Sequence, residues 1–307
     1  MILARIIFAL VLLTGSAQAQ MNSFFPGPGT AHSAGAAFTG IGDTVTTGWF
    51  AAWGTRAFSA ATRGNKLINA CDSTGGVDVS CADMLSDATT GDIVPKAIGG
   101  ITCPNVNCTI KIYYDISGQT NCTGAVACDM TRATVASRAK LTANALGGAS
   151  TKSCGVSTGA ATYATPALAA VVVPPHSVTA TAKYSSTTGG QLILGSAGGT
   201  NNGYGAFGGF FALFDPSTVN ASVAFDTTAH TLQYVANGAS SFVTVDTTTS
   251  TTQNSGSTNI GTTGLMLFTD QFSQFMSGVV CEAGLNTNAF SGTNVSNLNT
   301  NQQYWFN

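Results

Sequence analysis

From about residue 109 the chain alternates apolar and polar positions with a period of two, which is the signature of half-buried β-strands. The pattern predicts strands over 109–114, 177–184, 191–194, 207–214, 221–225, 231–236, 241–245, 264–268 and 278–283. An unbroken apolar run over 167–173, stopped by Pro174-Pro175, reads as one more. Turn residues separate these runs at short intervals: Gly189-Gly190, Gly198-Gly199, Asp215-Pro216 and Asn237-Gly238. Short strands so punctuated predict an all-β, antiparallel sandwich. Asn237-Gly238, following Leu232-Gln-Tyr234-Val, predicts a type I′ hairpin. The stretch 246–263, almost all Thr, Ser, Asn, Gly and Gln, reads either as an exposed loop with a polar edge strand or as a glycosylated or disordered linker.

The first half lacks this regularity. An Ala-rich stretch over 56–70 predicts a helix or turn, and 71–108 reads as loops held by cysteines. The segment 20–47, rich in Gly, Pro, Ser and Ala, predicts a mobile lead-in. Ahead of it, Arg5, the apolar run 6–13 and Ala17-Gln-Ala19 form an export signal over 1–19, with a run too short to span a bilayer. The expected organisation is therefore a signal peptide (1–19), a lead-in (20–47) and a single domain (48–307), secreted and without membrane attachment once processed.

Composition narrows the partner. Charged residues are 8 % of the 307 against a typical ~25 %. No Lys or Arg follows Lys183, and Glu282 is the only glutamate. A neutral, hydroxyl-rich surface suits a polysaccharide or other glycan and lacks the basic footprint of nucleic-acid binding. No cofactor is expected. Eight cysteines behind an export signal predict disulfides. Spacing pairs Cys71 with Cys81, Cys103 with Cys108 and Cys122 with Cys128, and leaves Cys154 and Cys281 for one long-range bond. A zinc site is disfavoured, because no Cys-x-x-Cys occurs and His32, His176 and His230 are scattered.

Two sets of residues carry a family resemblance. The Tyr234-Val-x-Asn237-Gly238 hairpin and the ending Ser277-Gly-Val-Val-Cys-Glu282-Ala-Gly-Leu resemble concanavalin A-like and laminin-G-like jelly rolls. Thr55-Arg-Ala-Phe-Ser59, Cys103-x4-Cys108-Thr-Ile-Lys-Ile-Tyr-Tyr-Asp115-Ile-Ser-Gly118 and Asp129-Met-Thr-Arg-Ala133 resemble the catalytic domain of fungal-type α-L-arabinofuranosidase B. The same block also resembles uncharacterised bacterial and phage-associated laminin-G-like proteins.

The resemblance implies a jelly roll that hydrolyses terminal α-L-arabinofuranosyl groups with two carboxyl groups and retention of configuration. Asp270, closing the strand over 264–268, matches the family's acid. Asp215 stands nearest to its nucleophile, where the family has Glu. Asp215 before Pro216 also reads as a turn residue, and Asp270 reads equally as a turn residue or a site carboxylate. Asp115 and Glu282 read as structural. Trp53, Tyr204 and Phe207 are candidates for stacking on a sugar, with core or rim packing as the other role of each. The alternative function is a non-catalytic, lectin-like glycan binder or a surface or phage-associated structural protein.

Overall fold

The ten-residue strand Ser277–Asn286 organises the protein, which was analysed as a computed structural model describing residues 38–198, 202–214 and 217–307. Along one edge it pairs with His176–Tyr184. Along the other it pairs first with Cys154–Thr158 and then with Trp49–Gly54. Beyond His176–Tyr184 the sheet continues through Ala229–Ala236, Phe242–Val245 and Thr248–Thr249. In the other direction it runs through Lys140–Thr142 and Cys108–Tyr113 to Met130–Thr131, Tyr163–Ala164 and Leu265–Leu267. It ends on Gln191–Ser196, Gly203–Phe207, Phe210–Phe214 and Thr218–Ala224. Every one of these pairings is antiparallel, and the sheet nearly closes on itself as a β-sandwich of jelly-roll type.

Alternation decides which side chains fill it. Val178, Ala180, Ala182 and Tyr184 of one strand and Leu232 and Tyr234 of its neighbour are fully buried. Tyr184 meets Phe211 and Phe225 edge-on or tilted, with ring centroids 6.0 and 4.8 Å away. Tyr234 Oη donates to Gly205 O at 2.9 Å, tying the two layers and satisfying a hydroxyl that burial would otherwise strand.

The opposite face of the same strands is polar, and a C-terminal helix, Gly292–Gln302, covers it. Thr179 Oγ1 and Gln233 Nε2 donate to Gln302 Oε1, and Thr231 Oγ1 donates to Asn299 Oδ1. Beneath that helix Glu282 pairs with Arg56, with side chains 1 % and 0 % exposed.

The expected pairing of all eight cysteines is observed. Cys71–Cys81 bridges a register pair of strands Lys66–Asp72 and Ser80–Leu85. Cys103–Cys108 and Cys122–Cys128 close short loops. Cys154–Cys281 joins neighbouring strands 127 residues apart in sequence. Among the described residues no helix is long and apolar enough to cross a membrane.

Several expectations are corrected. The helix over 56–70 is a single 3₁₀ turn, Ala60–Thr62, followed by the strand Lys66–Asp72; buried Leu67, Ile68 and Ala70 are placed by pairing on both edges, which outweighs alanine's helix propensity. The cysteine-held loops over 71–108 contain three strands, Ser80–Leu85, Lys96–Ile98 and Ile101–Cys103. The run 167–173 is not a strand. Only Leu168 and Val172 are buried, four residues apart, and Val171 and Val173 are half-exposed.

The strand over 207–214 is a hairpin, because Gly208 and Gly209 take φ of 61° and 86°. Asn237 has φ −147°, so the turn after Ala236 is not type I′; a 3₁₀ turn, Gly238–Ser240, replaces it. The lead-in does not extend to residue 47. Ile41 and Val45 are buried, around the short helix Ile41–Thr44. The signal over 1–19 and the lead-in as far as residue 37 lie outside the described residues.

The Tyr-Asp-x-Ser-Gly block is a structural pin. Asp115 Oδ1 accepts from Ala52 N, Ser117 N and Ser117 Oγ at 3.1, 3.0 and 2.7 Å, and Oδ2 accepts from Cys128 N at 3.3 Å. The block thereby fixes strand Trp49–Gly54 to the Cys122–Cys128 loop.

Candidate functional site

Asp270 stands just beyond strand Leu265–Leu267, at the head of a tight turn. Its Oδ1 accepts from Phe272 N at 2.9 Å and from Gln274 N at 3.1 Å. Its carbonyl accepts from Ser273 N at 3.2 Å. The turn is bounded by two left-handed non-glycine residues, Phe268 (φ 66°) and Ser273 (φ 61°), conformations that persist only where surrounding structure over-determines them. Gly195 is required beneath it, since a Cβ there would lie 2.6 Å from Asp270 Cβ.

Asp270 is 7 % exposed, and no described residue donates a hydrogen bond to its Oδ2. It lines a cleft of about 180 Å³ together with Asn202, Phe207, Phe214, Phe272 and Gln274. Phe272 is 57 % and Phe207 39 % exposed at the rim, and Phe207 stands edge-on to Phe214 with centroids 4.7 Å apart. Leu192 and Gly203 also line it, and among the described lining residues Asp270 is the one charged group.

The sequence-predicted residues separate as follows. Asp270 and Phe207 line the same cleft. Asp215 lies outside the described residues; Phe214, immediately before it, lines the cleft. Trp53 is not available for stacking: it is 1 % exposed, its Nε1 donates to Cys128 O at 2.8 Å, and its ring belongs to the core. Tyr204 is likewise wholly buried, its hydroxyl 2.5 Å from His176 Nε2. Burial lowers the pKa of that histidine to about 4, so it is neutral near pH 7. Trp53 and Tyr204 sit on strands whose every position is covered on both faces or nearly so, a property that residue type does not reveal.

Asn202, Phe214, Phe272 and Gln274 were missed. The signal for the last two was the aromatic and amide sequence Gln271-Phe-Ser-Gln-Phe275 directly after Asp270, too polar for a strand and too aromatic for an ordinary turn.

Solved structures share this architecture. One is an arabinofuranosidase complexed with arabinofuranosyl-α-1,2-xylobiose, with TM-score 0.55 and 15 % identity over 87 % of this chain and 65 % of that one. Another is a GH54 α-L-arabinofuranosidase soaked with a cyclic sulfate inhibitor, with TM-score 0.53, 15 % identity and the same coverage. The fold is that of the GH54 arabinofuranosidases. The chain spans 65 % of the length of these neighbours. No family model and no curated protein matches the sequence.

Glu282, the only glutamate, is held in a buried ion pair. Arg56 Nε donates to its Oε2 at 2.7 Å, and Arg56 Nη2 and Gln302 Nε2 each donate to its Oε1 at 3.1 Å. The Arg56 guanidinium also lies over the Tyr304 and Trp305 rings, 5.0 and 5.2 Å from their centroids.

A second polar cluster is a clamp. His230 Nδ1 lies 2.7 Å from Asp246 Oδ2, and Nε2 lies 3.0 Å from Asp226 Oδ1. Burial disfavours the imidazolium, but the hydrogen bonds to Asp246 and Asp226 outweigh it and raise the His230 pKa above its usual 6.5. Both carboxylates are held below their usual 3.8, burial opposing and the His230 bonds prevailing. The stability His230 contributes is therefore complete below pH 6.5 and lost as pH rises through its folded pKa. The carboxylates' contribution is present above pH 3.8 and lost as pH falls through their lowered values. The Tm difference between wild type and His230→Gln should be greatest between pH 3.8 and 6.5 and shrink on the alkaline side. A difference that grows towards pH 9 would contradict this clamp.

Proposed function

We propose that this chain is an exported, carbohydrate-active jelly roll whose cleft at Asp270 takes the terminal sugar of a neutral glycan. The observation that carries the reading is the state of the Asp270 carboxylate. One oxygen is fixed by two backbone amides; the other accepts no bond from a described residue, inside a small aromatic-rimmed cleft. An acceptor so positioned suits sugar hydroxyls, and exposed ring faces suit the apolar C–H face of a sugar. The cleft is smaller than the ~300 Å³ and upward of drug-sized pockets, which fits a single ring. Four disulfides accord with an oxidising compartment.

The specific reaction we assign is hydrolysis of α-L-arabinofuranosides, supported by the fold shared with the GH54 enzymes. In this scheme Asp215 attacks the anomeric carbon as the glycosidic C–O bond breaks, and Asp270 gives its proton to the leaving oxygen. Asp270 then takes a proton from water, whose oxygen displaces Asp215 and releases the sugar with retained configuration.

A second reading is favoured by one observation. The two backbone amides on Oδ1 hold the carboxylate as a fixed hydrogen-bond acceptor within its own turn, a geometry that serves sugar binding without any proton transfer. This is binding without turnover.

The deciving experiment uses 4-nitrophenyl α-L-arabinofuranoside across pH 4–7. Turnover that falls by at least about a hundred-fold in Asp270→Asn supports hydrolysis. No turnover, with Asp270-dependent binding of arabino-oligosaccharide by calorimetry, selects the lectin-like reading. Neither turnover nor binding overturns both.

A further inference from the structure

A second cavity, larger than the Asp270 cleft, lies elsewhere on the molecule. A groove of about 700 Å³ runs between the C-terminal helix and the strands Phe242–Val245 and Thr248–Thr249. It shares no lining residue with the Asp270 cleft. One wall is a single stripe of the helix: positions 292, 295, 296, 299, 300 and 303 recur at intervals of three and four and so face one way. The other wall follows from strand alternation. Phe242 and Thr244 share a face, and Thr244 stands opposite Thr249 in register, their hydroxyl oxygens 2.9 Å apart.

The described lining residues are all uncharged and most carry hydroxyl or amide side chains. Thr247, Thr252 and Gln303 line the groove with side chains that bond to no described residue, while Ser296 and Thr300 use their hydroxyls only as donors to carbonyls one turn back. Their oxygens therefore retain accepting capacity. The nearest acid in sequence, Asp246, is occupied by His230 and by Thr231 N.

We propose that this groove binds a neutral polysaccharide chain, as a site separate from the Asp270 cleft. A charged ligand would be desolvated here with no countercharge among the described lining residues, whereas sugar hydroxyls find donors and acceptors along both walls and an aromatic side chain at Phe242. The volume lies within the range of ligand pockets, ~300–1,000 Å³, and holds several sugar rings in contrast to the single-ring cleft. The proposal does not depend on the Asp270 reading.

The test is affinity electrophoresis of the full chain through gels containing soluble arabinoxylan, galactomannan or β-glucan. The variants are Thr249→Trp/Ser296→Trp, two exposed positions where the added rings fill the groove, and Asp270→Asn. At least one polysaccharide should retard wild type and Asp270→Asn equally. Groove filling should weaken that binding by about ten-fold or more. Sodium chloride should leave it nearly unchanged, as an uncharged contact requires. No retardation of wild type on any gel overturns the proposal, as does equal retardation of the groove-filled variant with a native circular dichroism spectrum. Sedimentation showing a wild-type dimer that groove filling dissociates, without polysaccharide binding, would assign the groove to a second copy and likewise overturn it.

Discussion

Replacing Glu282 with Ala should destabilise the protein by about 3–5 kcal/mol, the range for breaking a buried ion pair by removing one partner. The reason is what remains. Arg56 is 0 % exposed, and its guanidinium would keep a buried positive charge facing Asn301 and the Tyr304 and Trp305 rings. Glu282 Oε1 also accepts from Gln302 Nε2 and, at 3.4 Å, from Trp305 Nε1, so the change strips partners from the segment that covers the sheet. The double substitution Arg56→Met/Glu282→Leu should recover more than half of that loss, because apolar replacement of a whole buried pair is often near neutral. Urea unfolding checks both. A single-variant cost below about 1 kcal/mol would show that the pair is not desolvated as described.

The second large effect belongs to Cys154–Cys281. Its loop of 127 residues confines the unfolded chain far more than the loops of five and six residues closed by Cys103–Cys108 and Cys122–Cys128. In the chain-entropy account the double Cys→Ser variant at 154 and 281 should lose about 4–5 kcal/mol, and the variant at 103 and 108 about 2 kcal/mol. The long bond also anchors a small cluster of Leu146, Val279 and Trp305 around its sulfurs, so its loss should loosen the C-terminal segment first. Hydrogen exchange in 303–306 reports that directly. A short-loop variant less stable than the long-loop variant would contradict the ranking.

The fold was readable because half-buried antiparallel strands write their period into the chain. His176–Tyr184, Ala229–Ala236 and Ser277–Asn286 all fall on alternating segments. The disulfides were readable because short sequence separations leave few sensible partners. The misreadings have a common physical origin. Lys66–Asp72 is a strand because neighbours on both edges complete it, and no local signal carries that information. The helix Gly292–Gln302 has little apolar periodicity, because it lies on a polar sheet face and buries Asn299 and Gln302 along with Val295 and Leu298.

The same logic governs the site. Asp270, a rare acid closing an apolar strand, and Phe207, one of three aromatic candidates, line the same cleft. Trp53 and Tyr204 were indistinguishable from Phe207 by type, and only burial separates them. Phe272 and Gln274 belong to a turn whose shape depends on Asp270's own hydrogen bonds. The residues that carry the family resemblance, Arg56 and Asp115, hold the sandwich together, so a motif match here reports scaffold more directly than chemistry.

The central claim is that a sugar ring enters the cleft at Asp270. A crystal of the wild-type protein soaked with an arabino-oligosaccharide tests it most directly. The account expects a terminal ring with a hydroxyl within hydrogen-bond distance of Asp270 Oδ2 and its C–H face against Phe207 or Phe272. A cleft left empty at saturating sugar, or a ring bound with no contact to Asp270, would contradict it.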